Sequence, residues 1–142
     1  MGLSDKDMEA KIKHLEFIQA VITRLNTNSF AIKGWAITLI ASLFALAAAN
    51  ANVKFIYAIF VIIPPFWILD GFYLSTEKKF RGLYNQVRNV NHTVIDFSMD
   101  ISEFKKPEDS WRRCLFASTV WIVHGGLLMI TLLATYILFW SE

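Results

Sequence analysis

The stretch FIYAIFVIIPPFWILDGFYL, Phe55–Leu74, decides how this chain must be read. It holds twenty residues and one formal charge, Asp70. About twenty apolar residues in a helix cover the ~30 Å hydrocarbon core of a bilayer. Two more stretches have this character, Phe30–Asn50 before it and Cys114–Trp140 after it. Hydrophobic residues make up 55% of the 142, where a soluble domain has about 45–50%. The charged 18% lie almost wholly outside the three stretches. The expected fold is an all-α integral membrane protein forming one membrane domain, residues 1–142. Its expected parts are an amphipathic cytoplasmic helix (1–28), a first span (29–50), a second span (54–74), a cytoplasmic heptad helix and connection (75–111) and a third span (112–140).

Charge sets the expected orientation, because Lys and Arg are retained on the cytoplasmic side. Lys6, Lys11, Lys13, Arg24 and Lys33 precede or open the first span. Lys78, Lys79, Arg81, Arg88, Lys105, Lys106, Arg112 and Arg113 lie between the second and third. Only Lys54 falls in the short turn between the first two. The N-terminus is therefore expected in the cytoplasm and the C-terminus outside, in a cell inner (plasma) membrane. The N-terminal residues lack the apolar core of a signal peptide, so the first span is expected to act as an uncleaved targeting signal. The same segregation accounts for the basic pI of about 8.7, so nucleic acid is not an expected partner.

The flanking segments carry helical patterns. Met8, Leu15 and Ile22 recur every seven residues, with Ile18 and Leu25 beside them, which predicts an amphipathic helix. Asn26-Thr-Asn-Ser29 suggests a break before the first span. After the second span, Phe80, Val87 and Val94 share one heptad position and Leu83, Val90 and Phe97 the other. That pattern predicts a helix running to about Phe97 whose stripe meets a partner helix. A short outer turn would bring the two cytoplasmic helices side by side as a long hairpin, with residues 98–110 leading back to the third span. The alternative lays both helices flat in the headgroup layer.

Asp70 and Lys33 stand at about the same depth, and a charged pair is the economical way to keep them there. His124 could bond a neighbouring helix, form a ring around an oligomer axis, or titrate as a proton sensor. Pro64-Pro65 predicts a kink and a candidate hinge. Ala41, Ala45 and Ala49 make a small-residue packing face. The candidate functional residues are Asp70, Lys33 and His124. The candidate oligomer contacts are Phe80, Leu83, Val87, Val90, Val94, Phe97, Ala41 and Ala45.

No phosphate loop, His-Glu-x-x-His helix, Cys-x-x-Cys pair or Gly-x-Ser-x-Gly elbow occurs. Arg88-Asn-Val-Asn-His92 falls one residue short of the Arg-x-x-x-x-His signature of HEPN ribonucleases. Neither an enzyme nor a cofactor or metal site is expected. The runs Asn28–Leu39, Phe66–Leu74 and Phe80–Tyr84 resemble a widespread family of small, uncharacterised bacterial inner-membrane proteins with three transmembrane helices. The function expected from architecture is a homo-oligomer in the lipid bilayer that conducts ions or perturbs the membrane, as defence-type effectors do. The alternative is a membrane adaptor whose cytoplasmic helices recruit a soluble protein partner.

Overall fold

The computed structural model describes residues 5–50, 52–89, 96–104 and 106–140. Helix α1, Asp5–Asn50, is one unbroken rod of 46 residues. Asp5 and Asp7 sit in its first turn, where acids complement the positive end of the helix. The expected break at Asn26–Ser29 does not occur. The polar side chains there are accommodated without unwinding the helix: Thr27 Oγ1 donates to the carbonyl of Thr23, and Ser29 reaches a neighbouring helix. One stripe faces inward along the rod, with Lys11, His14, Ile18 and Ile22 in the first half and Ile32, Ala36 and Ile40 in the second.

After a tight turn in which Asn52 Oδ1 accepts from the amide of Lys54, helix α2 runs Lys54–Asn89 antiparallel to α1. It continues through Pro64-Pro65. These prolines have no amide hydrogen, so the carbonyls of Phe60 and Val61 lose their usual donors. The described helix stops at Asn89 rather than Phe97. Lys11 Nζ donates to the carbonyl of Arg88 at 2.8 Å, placing a cation on the last turn of α2. Val90 and Val94 lie outside the described residues.

The chain returns as an extended segment, Asp96–Phe104, held by local turns in which Asp96, Ser98 and Asp100 side chains accept from amides two residues on. Phe97 takes a left-handed backbone (φ 53°) and sets its ring against His14 and Phe17. His14 Nε2 meets the carbonyl of Ser98 at 2.9 Å. A 3-10 turn (Pro107–Asp109) and the short helix α3 (Trp111–Cys114) follow, and α4 spans Ser118–Trp140.

Two apolar cores result. In the distal half, Ile18, Ile22 and Leu83 are buried beneath Phe80, Tyr84, Val87, Met99, Ile101 and Phe104. Phe80, Leu83 and Val87 therefore pack against α1 of their own chain, and Phe97 packs on His14. Phe80, Leu83 and Val87 line the inner seam of an α1–α2 hairpin, and Phe97 closes over its end from the return segment. The heptad arises because two long antiparallel helices need a continuous apolar seam, whichever chain supplies the partner. In the other half, Ile40, Ile59 and Ile63 are buried with Leu43, Phe44, Trp67, Leu127 and Leu128, so all three long helices contribute. Each long helix contains a window long and apolar enough to cross a membrane. Much of each window faces outward: Trp35, Val61, Ile122, Met129 and Leu133 are all more than half exposed.

Candidate functional site

Ser29 and Lys33 lie one turn apart on α1, so their side chains share a face. That face meets Asp70 of α2. Asp70 is fully buried and accepts from three side chains on two other helices. Lys33 Nζ donates to Oδ1 at 2.6 Å, and Ser29 Oγ donates to the same oxygen at 2.5 Å. Lys33 Nζ also donates to Ser29 Oγ at 2.8 Å, which closes a triangle. On the other side, Oδ2 lies 3.1 Å from His124 Nε2 of α4. A carboxylate only accepts, so the imidazole hydrogen at this contact sits on Nε2. His124 is itself fully buried, and its Nδ1 has no hydrogen-bond partner among the described residues.

The surroundings explain how the three helices come this close. Gly71 follows Asp70, and a Cβ there would stand 2.6 Å from Leu115 Cδ2 and 3.3 Å from the Leu115 amide. A methyl there would have to displace the Leu115 side chain and press on its backbone. Trp67, one turn before Asp70, donates from Nε1 to the Leu115 carbonyl at 2.8 Å. Its ring stacks on His124 and packs against Trp121 at 5.3 Å. The His124 side of the cluster is thereby covered by indole rings. Lys33 alone reaches outward, its side chain 18% exposed.

The expected Asp70–Lys33 pair is present in this geometry, and so is the expected bond from His124 to a neighbouring helix. The placement of His124 differs from the expected one. Residues 112–117 form α3 and a turn instead of the start of the third long helix, so His124 lies only six residues into α4 rather than at its middle. It falls level with Asp70 for that reason. Ser29 was missed by sequence reasoning, which took it for part of a helix break. Its position four residues before Lys33 was the available signal.

A buried ion pair with one cation, one carboxylate and a histidine can hold helices in register, and it can bind or release a proton. Among the described residues no group of three or more His, Cys, Asp or Glu is placed to hold a metal. Ala41 and Ala45, proposed from the sequence as oligomer contacts, are exposed on α1, eight and twelve residues beyond Lys33, and take no part in this cluster. His92 lies outside the described residues. A separate groove of about 730 Å³ opens along the distal part of the hairpin, lined by Ile12, Leu15, Gln19, Thr23, Arg24 and Tyr84. No protein family, curated protein or solved structure matches this chain.

Proposed function

We propose that this chain is a non-enzymatic, multi-pass protein of a bacterial inner membrane that assembles from identical copies and, once assembled, conducts ions or perturbs the bilayer. Its N-terminus and hairpin lie in the cytoplasm, and its C-terminus lies outside. The observation that carries self-association is the outward face of α1. Gly34, Thr38, Ala41, Ala45 and Ala48 are all exposed, and they follow one another at steps of four, three, four and three residues. That is one continuous seam of small residues along the apolar half of the helix. A Cβ at Gly34 would meet nothing within 4 Å. Small seams let a second helix approach closely enough to gain packing where lipid offers no hydrophobic drive.

Each protomer turns Asp70 and Lys33, the charges within its apolar windows, toward its own helices, so the arrangement corresponds to a closed state. Any polar pathway runs between copies, or follows from rearrangement at the Asp70–His124 contact, with Pro64-Pro65 as the candidate hinge. The test is the mass of the detergent-solubilised particle combined with ion leak from liposomes. A multimer that leaks, with both properties lost in Ala41→Phe/Ala45→Phe, supports the proposal. A monomer that leaks at no protein density refutes it. The groove along Ile12–Tyr84 favours a second reading, an adaptor that seats a soluble protein. A monomeric, non-leaking particle whose groove crosslinks one soluble protein would favour that reading.

A further inference from the structure

We propose that the shoulder between α2 and α3 binds the phosphate headgroup of an anionic phospholipid through Lys78, Lys79, Arg112 and Arg113. The inference rests on the reading that the chain spans a membrane. Residues 109–115 lie beside residues 67–75 of α2. Ser75 Oγ donates to the carbonyl of Asp109, Trp67 Nε1 donates to that of Leu115, and the Leu115 amide crowds Gly71. Lys78 and Lys79 follow Ser75 by three and four residues. They therefore emerge on the same side of α2, about 4.5–6 Å further along its axis. Both are near enough to pull electrostatically on the thiol of Cys114. Arg112 and Arg113 adjoin that thiol in sequence and are exposed.

None of these four cations has a carboxylate within ion-pair distance among the described residues. The acid closest to them on α2, Glu77, is taken by Arg81 at 2.6 Å. Glu108 and Asp109 head the same turn, so with Lys106 the shoulder carries five cations against two carboxylates. The Arg112 guanidinium lies over the Trp111 ring, 5.7 Å from its centroid, which supports the cation while leaving its N–H edges free. Trp111, Phe116 and Trp121 are exposed by 42%, 70% and 47% around the same segment. Exposed tryptophans beside unpaired basic residues are the composition of the headgroup layer, where the ring sits in the interface and the cation meets phosphate. A free phosphate would use the cations and ignore the aromatic rim. Each basic residue held at an anionic surface is worth roughly fivefold in affinity.

The full-length protein in detergent is titrated with phosphatidylglycerol or phosphatidylcholine and examined by native mass spectrometry. Phosphatidylglycerol adducts are expected to persist at activation energies that strip phosphatidylcholine. Arg112→Gln/Arg113→Gln and, independently, Lys78→Gln/Lys79→Gln should each weaken retention about 25-fold. Lys6→Gln/Lys13→Gln, at the far end of α1, should leave it unchanged. Tryptophan fluorescence checks that each variant is folded, and two pairs guard against one failing to fold. Equal retention of the two lipids, or a preference that survives both pairs, overturns the proposal. So does displacement by millimolar inorganic phosphate, which would identify a site for the free anion. Carbonate extraction keeps the two readings apart. Release of the protein from membranes defeats the membrane reading itself, whereas retention without a lipid preference defeats only this site.

Discussion

Replacing Asp70 by alanine should destabilise the protein by about 3 kcal/mol, and the structure shows why the figure falls there. Asp70 accepts from Ser29, Lys33 and His124. Were these ordinary interhelical hydrogen bonds in a membrane, at ~0.6 kcal/mol each, their loss would total about 2 kcal/mol. Removing one partner of a buried ion pair costs more, about 3–5 kcal/mol, because the other charge is stranded. Lys33 is not wholly stranded, since its side chain is 18% exposed and can extend toward the headgroups. That places the loss at the low end of the range. Asp70→Asn keeps an acceptor for Lys33 and Ser29 and should cost about half as much, near the neutral-bond figure. Lys33→Met/Asp70→Leu removes both charges and should recover most of the loss. The swapped pair Lys33→Glu/Asp70→Lys should recover little, because position 70 also faces His124. The assay is equilibrium unfolding in a graded mixed-detergent series, followed by tryptophan fluorescence. Trp67 and Trp121 pack beside the cluster and report its opening directly. An Asp70→Ala variant within about 0.5 kcal/mol of wild type would refute the reasoning, since even neutral hydrogen bonds predict more.

Further outcomes follow from the packing. Gly71→Ala should destabilise by about 1–3 kcal/mol, because the new methyl would meet both the Leu115 side chain and its backbone. Gly126→Ala, where nothing stands within 4 Å, should be neutral or stabilising by up to about 1 kcal/mol through helix propensity; the same unfolding series distinguishes the two. Burial pushes the Cys114 thiol above its ordinary range. Maleimide should therefore label the folded protein slowly, with a rate still climbing above about pH 9, and label the SDS-unfolded protein quickly. Ile18→Ala should cost about 2–5 kcal/mol and loosen the return segment, read as faster amide exchange at Met99 and Ile101.

The helices and the hairpin were legible because their signals are local. Uninterrupted apolar length marks the three windows, and the heptad of Phe80, Leu83 and Val87 marks a seam. That the seam closes on α1 of the same chain was legible from the short turn between the first two spans, because a turn of that length sets the two extensions side by side. Asp70 and Lys33 could be paired from matching depth in an antiparallel hairpin. His124 was placed too deep because Cys114–Ala117 is as apolar as the helix after it, and only the turn at Leu115–Ala117 moves the helix start to Ser118. Ser29 escaped because serine beside asparagine and threonine reads as a helix breaker. Its hydroxyl is instead drawn to a charge forty-one residues away.

The unbroken course of α1 has a mechanical consequence. At 1.5 Å per residue its 46 residues make a rod of about 69 Å, of which roughly 36 Å lies on the N-terminal side of Ser29. Rotating such a rod by about 10° about Ser29 carries its tip through roughly 6 Å, more than the rise of one helical turn. The Ser29–Lys33–Asp70 triangle sits at the fulcrum of this lever. Displacement at the far end is delivered there as torque on the cluster through which Lys33, Asp70 and His124 tie the three long helices together.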